Sequence, residues 1–245
     1  MSEDPSPTRS SEPSTPGRAS IARRPLVGDD IAYMLPMAAF LAFTWAGGHW
    51  PDFYVASYVI KTVVAAILLA LLWRHYTKIS WDYWWLAVLM GIAGLFQWVC
   101  MEKGLLRLWP HYHIMDAPEP FNPFGHFSTA SAAWGFIAIR WAGASLVVPV
   151  MEELFWRDFL WRTIAAPADF KLARIGEWER GIPLLLISLA FSTVHFEWLT
   201  AIVWGLMVGG LLVYTRSLGA CIVMHGVTNF LLGAYVLWSH DWKFW

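Results

Sequence analysis

Seven long apolar segments follow one another from residue 31 onward. They lie at about 31–47, 54–73, 82–101, 134–164, 182–196, 198–216 and 219–238. A helix needs about 20 apolar residues to cross the ~30 Å of bilayer hydrocarbon, and most of these segments reach that length. The sequence therefore predicts an all-α polytopic membrane protein, a bundle of about seven or eight transmembrane helices. The eighth helix would lie in the linker at 102–133.

The overall composition supports a membrane protein and argues against nucleic acid as a partner. The 245 residues are 58% hydrophobic and 14% charged, whereas soluble domains carry about 25% charged residues. The 18 Trp residues suit the bilayer interface, where an indole ring is half hydrated. With a net charge of −1 and no basic stripe, we expect a lipid bilayer around the protein and no nucleic acid.

The chain divides by composition into four parts. The first is rich in Ser, Pro and Glu and too polar to bury a core, so we expect a disordered cytoplasmic tail. The apolar segments form two groups on either side of a proline-rich linker, which should be an irregular loop. The predicted parts are the tail at 1–28, N-terminal transmembrane helices with the loop at 29–133, a core of helices at 134–238 and a short C-terminal tail at 239–245.

Lys and Arg residues between the apolar segments predict the orientation of the bundle. Short loops on the cytoplasmic side of a membrane protein carry the excess of Lys and Arg. One side of the predicted bundle carries Arg23, Arg24, Arg74, Lys78, Lys171, Arg174, Arg180 and Arg216. The other side carries Lys103, Arg107 and Lys243. We therefore expect the N-terminus in the cytoplasm, and a bacterial inner membrane is the expected location.

Five charged residues interrupt the fourth apolar segment, in the stretch "VPVMEELFWRDFLWR". An ionised residue at the centre of a membrane helix costs about 2.5–3.5 kcal/mol, so such residues normally face the protein interior and have partners. Residues four apart share a helix face, which pairs Glu153 with Arg157 and Asp158 with Arg162. We interpret the second pair as a solvent-side salt bridge that ends the helix. Glu152 has no local cation, so its partners must lie on other helices.

Two further polar pairs have helical spacing in later segments. Phe191 and His195 are four residues apart in "FSTVH", and His225 and Asn229 are four apart in "HGVTN". A single histidine in a membrane helix is often structural and donates to a backbone carbonyl. At a rise of about 1.5 Å per residue, however, both histidines and Glu152 can meet in the middle of the membrane or in its cytoplasmic half. The sequence thus predicts a polar cavity inside the bundle.

Together these side chains are the components of a hydrolytic site. A carboxylate in an apolar pocket is suited to take a proton from water. A neutral imidazole aligns that water, and N–H groups of histidine or asparagine stabilise the oxyanion that develops. No cofactor is expected. The candidate catalytic residues are Glu152, Glu153, Arg157, His195, His225 and Asn229.

Three motifs on successive segments carry a family resemblance. In order they are EExxxR at Glu152, FxxxH at Phe191 and HxxxN at His225. This order resembles the CPBP family, which includes the type II CAAX prenyl endopeptidases, viewed as glutamate intramembrane proteases, and the bacterial Abi and bacteriocin-immunity proteins. The resemblance covers residues 134–238. The aromatic "EELFWR" is also similar to the CAAX-protease-related branch that is associated with exosortase systems.

The resemblance implies an intramembrane endopeptidase and a role for each motif residue. Glu152 and His195 would activate the water. Glu153, paired with Arg157, would position the site, and the HxxxN pair would form the oxyanion hole. Asp158 stands where the family often has glycine, which affects the expected substrate preference more than the chemistry. The implied substrate is a membrane-associated protein or peptide.

Two other functions remain open. A zinc peptidase would use Glu152, His195 and His225 as ligands, but the sequence contains no HExxH motif and places Arg157 beside the site. A non-catalytic scaffold or immunity-type protein would use the same polar cluster for helix packing. The two histidines of "HYH" in the linker have a spacing that suits a metal, but no third ligand is apparent.

Overall fold

The computed structural model describes residues 28–114, 119–176 and 181–245. Within these ranges the regular structure is helical and includes no strand. The predicted tail, apart from Gly28, lies outside the described residues, as does Arg180. The helices are α1 Asp29–His49, α2 Tyr54–Leu71, α3 Trp84–Leu108, α4 Pro123–His126, α5 Ala130–Ala165, α6 Ile182–Ser192, α7 Trp198–Thr215 and α8 Leu218–Ser239.

Six of the described helices, all except α4 and α6, are long and apolar enough to cross a membrane. Each of the seven predicted segments coincides with one helix of the structure. The described part of the linker at 102–133 contains no eighth crossing, because α3 runs on to Leu108 and only the four-residue α4 follows before α5. The predicted all-α polytopic membrane fold is confirmed.

Helix α6 is shorter than the predicted segment at 182–196, because polar side chains at its end compete for backbone carbonyls. Ser192 Oγ and Thr193 Oγ1 each donate to the carbonyl three residues earlier, at 2.8 and 2.7 Å. His195 Nδ1 lies 2.9 Å from the carbonyl four residues earlier. Such bonds offer the backbone an alternative to the helix. At about 1.5 Å per residue, the 11 residues of α6 span only about 16 Å.

Helix α5 is continuous over 36 residues but contains two π-turns, at Gly143–Val147 and Leu154–Leu160. The first π-turn lies directly before Pro149, and in it the Val148 N–H bonds to the carbonyl of Gly143, five residues back. Proline has no N–H to continue the α-helical pattern. The second π-turn begins directly after the two glutamates of EExxxR, and π-turns inside helices are frequent at functional sites.

Loops and helix ends meet at one end of the bundle around Ser80. The Ser80 carbonyl accepts hydrogen bonds from Ser217 Oγ at 2.8 Å and from the Gly219 N–H at 2.9 Å. Lys171 Nζ, in the loop after α5, donates to Asp29 Oδ2 at the start of α1, at 2.5 Å. We call this the Ser80 end; it contains the loops α2–α3, α5–α6 and α7–α8.

The opposite end is held together by the linker before α5 and the segment after α8. Lys103 Nζ lies 3.1 Å from Asp241 Oδ2, which joins the last turns of α3 to the chain beyond α8. The ring of Tyr54, at the start of α2, lies 4.7 Å from that of Phe121 in the linker. We call this the Lys103 end.

Helix α8 lies at the centre of the bundle, where glycines allow close contact with its neighbours. A Cβ atom at Gly91 of α3 would lie 2.7 Å from Val227 Cβ, and one at Gly94 would lie 2.6 Å from Thr228 Oγ1. On another face, a Cβ at Gly226 would lie 2.9 Å from a backbone carbonyl of α5. Small residues give membrane helices this proximity, and here they bring HxxxN next to EExxxR.

The pair Asp158–Arg162 is present, but its predicted position on the solvent side is wrong. Arg162 Nη1 donates to Asp158 Oδ1 at 2.5 Å, and the two residues are 4% and 0% exposed. Asp158 Oδ2 also accepts from Tyr33 Oη at 2.6 Å and from Thr77 Oγ1, while Arg162 Nε donates to the Ala173 carbonyl at 3.0 Å. The N-terminal helices cover this turn of α5, which the local spacing alone does not show.

Candidate active site

A buried carboxylate joins α5 to α8. Glu153 Oε1 accepts hydrogen bonds from Arg157 Nη1 at 3.1 Å and from His225 Nδ1 at 2.8 Å. Glu153 and Arg157 have no exposed surface, and His225 is buried. The predicted pair of Glu153 and Arg157 is therefore present, and His225 is an additional partner from another helix. Removing one partner of a buried ion pair costs about 3–5 kcal/mol, so this contact stabilises the arrangement of the site.

Aromatic rings from α6 and α7 cover the guanidinium of Arg157. Its Cζ lies 4.9 Å from the ring centroid of Phe191 and 5.6 Å from that of Trp204. A cation over an aromatic face within about 6 Å is attracted by the ring quadrupole, by about 2 kcal/mol or more where water is excluded. Arg157 thus connects α5 with α8 through Glu153, which also binds His225, and with α6 and α7 through these two rings.

Glu152 has different surroundings from its neighbour, since successive helical residues are rotated by about 100°. Its side chain lines an internal cavity and is 9% exposed. Its Oε2 atom has no hydrogen-bond partner among the described residues. The structure agrees with the expectation that no cation next to it on α5 pairs with this carboxylate. Glu152 therefore brings to the cavity lining a carboxylate that has no cation beside it on its own helix.

His195 lies in the turn between α6 and α7 and has a defined tautomer when neutral. Its Nδ1 lies 2.9 Å from the carbonyl of Phe191. A carbonyl only accepts, so Nδ1 carries the proton and Nε2 has the free lone pair. The imidazole also packs at 4.3 Å from the Phe191 ring and 5.7 Å from the Trp98 ring. The FxxxH motif thus holds the imidazole through both the backbone and the ring of its phenylalanine.

Asn229 supplies a donor that α5 lacks. In the first π-turn the Val148 N–H is taken by the Gly143 carbonyl, and Pro149 has no N–H to offer the carbonyl of Ala144. Asn229 Nδ2 donates to that carbonyl at 2.8 Å. Because the carbonyl only accepts, this bond also sets the orientation of the amide. The second N–H of Nδ2 and the amide oxygen remain for other contacts.

One cavity of about 490 Å³ brings four of the six candidates together: Glu152, His195, His225 and Asn229 line it. Glu153 and Arg157 stand outside this lining and contact it through His225 and the aromatic rings. The apolar walls include Trp98, Phe191 and Trp204. The volume lies within the range of about 300–1,000 Å³ that is usual for ligand pockets. The predicted polar cavity inside the bundle is therefore present.

Trp204 is a site residue that the sequence motifs do not indicate. Its ring contacts the rings of Phe191 at 5.2 Å and His225 at 4.7 Å, and it lies over Arg157 as well. It belongs to none of the three motifs, and 18 Trp residues occur in the chain. With so many tryptophans, composition does not distinguish this one from the others. Its role is apparent only from its position on α7, between the helices that carry the motifs.

Among the described residues, no group of three or more His, Cys, Asp or Glu side chains is placed to hold a metal ion. His113 of the linker instead has its Nε2 3.0 Å from Glu102 Oε1. The same buried carboxylate accepts from Thr200 Oγ1 at 3.0 Å and from the hydroxyl of Tyr112. These contacts hold the linker against α3 and α7, and they give the histidine a structural role.

Comparison with known proteins places the site within a family. Residues 133–231 match the family model for type II CAAX prenyl endopeptidase Rce1-like proteins. This part of the chain is an Rce1-like domain. The resemblance to the CPBP family is thereby confirmed, and the match includes all six candidate residues while α1, α2 and α3 precede it. No curated protein and no solved structure matches the chain.

The six apolar helices make this chain an integral membrane protein, and its residues 133–231 are similar to a family of membrane proteases. The match spans α5 to α8 apart from short pieces at both ends, so the helices that carry EExxxR, FxxxH and HxxxN are those that the family shares. The affiliation with the exosortase-associated branch stays a prediction.

Proposed function

We propose that the Rce1-like domain hydrolyses a peptide bond of a membrane-associated protein or peptide with a water molecule that Glu152 activates. The difference between two adjacent carboxylates carries this proposal. Glu153 is bonded through Oε1 to Arg157 and His225 and stands outside the cavity lining, whereas Glu152 lines the cavity that it shares with His195. One carboxylate is available for proton transfer, and the other positions its neighbours.

In the proposed reaction the water lies between Glu152 and His195. Nε2 of the neutral imidazole accepts a hydrogen bond from this water and aligns it, because Nδ1 is already bonded to the Phe191 carbonyl. Glu152 takes a proton from the water as the water oxygen bonds to the carbonyl carbon of the substrate. The carboxylic acid then gives this proton to the amide nitrogen, and the C–N bond breaks. The products are a new carboxyl terminus and a new amino terminus.

The negative charge that develops on the substrate carbonyl oxygen is stabilised by donors on α8. The second N–H of Asn229 is one of them. When His225 carries both ring protons, Nε2–H is the other, with Nδ1 bonded to Glu153. Both side chains are held by contacts with α5 before any substrate binds. Such preorganised donors stabilise the developing charge more effectively than water does.

A non-catalytic membrane scaffold is the second candidate, and a specific observation favours it. Glu153, His195 and Asn229 each make a hydrogen bond within the bundle that stabilises the fold without any reaction. Glu152 separates the two functions, because it lines the cavity while the hydrogen bond that joins α5 to α8 is made by Glu153. A scaffold has no use for this carboxylate, whereas the peptidase requires it.

Glu152→Gln tests the proposal, because it keeps the size of the side chain and removes the base. The matched control is Asp82→Asn, the same change at an exposed loop carboxylate of the Ser80 end. Cells that express equal amounts of wild type or variant are compared by mass spectrometry of new protein termini in the membrane fraction. Removal of a general base lowers a rate by about 10²–10⁴-fold, so termini produced by wild type and by Asp82→Asn should be lost with Glu152→Gln.

Two outcomes contradict the peptidase function. A folded Glu152→Gln protein that generates the same termini as wild type shows that the carboxylate is not the base. If neither wild type nor Asp82→Asn generates a terminus above the level of cells without the protein, the scaffold is favoured instead.

A further inference from the structure

The exposed part of the cavity lining lies at the Lys103 end of the bundle. It consists of residues from three connecting segments: Glu119 in the linker before α5, Phe196 and Glu197 in the turn after α6, and Lys243 after α8. Glu119, Phe196 and Lys243 are exposed, whereas Glu152 at the other extreme of the lining is buried. The mouth of the cavity is therefore at the Lys103 end.

Packed side chains close the opposite path, from the site to the Ser80 end. Trp161, Leu212, Leu218 and Cys221 lie one to two turns beyond the site on α5, α7 and α8, and none of them has exposed surface. The hydrogen bonds of Asp158 join α1 to α5 in the same layer. Of the described residues in the loops of the Ser80 end, none lines the cavity.

The distribution of Lys and Arg assigns the closed end to the cytoplasm. The described loops of the Ser80 end carry Arg74, Lys78, Lys171, Arg174 and Arg216. At the Lys103 end, the last turns of α3 carry Lys103 and Arg107, and the segment after α8 carries Lys243. In the sequence, Arg23, Arg24 and Arg180 adjoin the first group. An excess of these residues in short loops marks the cytoplasmic side, which places the mouth of the cavity on the other side of the membrane.

We propose that the cavity admits its substrate from the non-cytoplasmic side of the membrane, an inference that rests on the proposed function. The substrate class that fits is an exported segment of a membrane-anchored protein, cleaved after the segment has crossed the bilayer. A cytoplasmic protein cannot reach Glu152 through the closed Ser80 end without separation of α5, α7 and α8.

Aromatic residues around the mouth indicate what kind of segment enters. Phe121, Trp242 and Trp245 line the cavity there. Arg140, behind this wall, donates to Tyr54 Oη at 2.5 Å and lies 5.2 Å from the ring of Trp245, so that two wall residues are held by one buried cation. Flat aromatic walls of this kind fit a chain with apolar side chains near the cleaved bond.

The distance from the mouth to the site sets the length of chain that must enter. His225 lies 14 residues before Ser239, the last residue of α8 at the Lys103 end, which corresponds to about 21 Å along the helix at about 1.5 Å per residue. An extended chain covers at most about 3.3–3.6 Å per residue. About six extended residues are therefore needed between the rim and the cleaved bond, so a folded surface loop without such a free segment is not a substrate.

Access to the cavity is measured with single cysteines in the full-length protein. The background carries Cys100→Ser and Cys221→Ala, which remove both native cysteines. Leu232→Cys places a thiol on the cavity lining, and the matched control, Phe230→Cys, places one on the lipid-exposed side of the same helix. Intact spheroplasts are treated with a charged, membrane-impermeant methanethiosulfonate, and the reacted fraction is compared with that after detergent lysis.

A second pair of cysteines reports the orientation of the two ends. Glu119→Cys lies at the mouth, and Lys78→Cys lies in an exposed position at the Ser80 end. We expect Glu119→Cys and Leu232→Cys to react in intact spheroplasts, Lys78→Cys only after lysis, and Phe230→Cys in neither case. Reaction of Lys78→Cys in intact spheroplasts, or of Leu232→Cys only after lysis, overturns the proposal.

This measurement is independent of catalysis, so the two proposals fail in different ways. If the cavity reacts from outside but Glu152→Gln changes no terminus, the peptidase function fails and the access route stands. If Glu152→Gln abolishes cleavage but the cavity reacts only after lysis, the peptidase function stands and the access route fails.

Discussion

Loss of the charge on Asp158 should destabilise the protein far more than a surface substitution does. In the structure this carboxylate accepts three hydrogen bonds, from Arg162 Nη1, Tyr33 Oη and Thr77 Oγ1. Asp158 has no exposed surface, and Arg162 is only 4% exposed. The variant Asp158→Asn keeps the shape of the side chain but leaves the guanidinium without a carboxylate partner inside the bundle.

The expected loss follows from this burial. An exposed ion pair contributes about 0–1 kcal/mol, whereas removal of one partner of a buried pair costs about 3–5 kcal/mol. We therefore expect Asp158→Asn to lower the free energy of unfolding by about 3–5 kcal/mol. Tyr33→Phe removes the hydrogen bond to Asp158 and the acceptor of the Thr77 N–H but leaves the ion pair, so it should cost less, about 1.5–3 kcal/mol.

A double-mutant cycle in detergent micelles separates the pair from its neighbours. The free energy of unfolding is measured for wild type, Asp158→Asn, Arg162→Met and the double variant. Since the double variant has no unpaired buried charge, its loss should be no larger than that of either single variant. A loss below about 1 kcal/mol for Asp158→Asn, or simple additivity in the double variant, would refute the reasoning, because those are the results for a solvent-side pair.

Three further changes test the site and its packing. Asn229→Ala leaves the Ala144 carbonyl without its donor and should lower the free energy of unfolding by about 1–3 kcal/mol, measured as above; an unchanged value would show that the bond has no structural effect. Gly91→Ala places a methyl group 2.7 Å from Val227 and should cost about 1–3 kcal/mol, so an equally stable variant would contradict the close contact of α3 and α8. His195→Gln should reduce the appearance of Glu152-dependent termini at least ~10²-fold, with little change in the free energy of unfolding. A strong metal chelator added to wild-type membranes should leave those termini unchanged. Loss of cleavage with the chelator would favour the zinc alternative.

The positions of the membrane helices were predictable because they depend on local composition. An apolar run of about 20 residues has few alternatives to a helix in lipid, since every backbone polar group must be satisfied within the segment. The exception is α6, which ends at Ser192, earlier than the predicted segment. The hydroxyls of Ser192 and Thr193 donate to backbone carbonyls of the helix. Hydropathy takes no account of such bonds between side chains and the backbone.

Contacts within one helix were predictable for the same reason, and contacts between helices were not. The spacing of four residues is enough to pair Glu153 with Arg157 on α5. It contains no information on His225 as the second partner, which depends on how closely α8 approaches α5 at Gly226. The role of Asn229 in satisfying a carbonyl released by Pro149 also required the π-turn to be known.

The pairing of charges along α5 explains why one glutamate of EExxxR has no partner on its own helix. From Glu152 to Arg162, α5 carries three carboxylates and two guanidiniums, and an unpaired charge inside a membrane protein is costly. The two helical pairs neutralise four of these five groups at 3.1 and 2.5 Å. The remaining carboxylate is Glu152, and the cavity is the place where it can meet water or a substrate. Pairing along the helix thus leaves one charge for the cavity, so substitution of Arg157, whose partner Glu153 adjoins Glu152, should alter the proposed cleavage as well as stability.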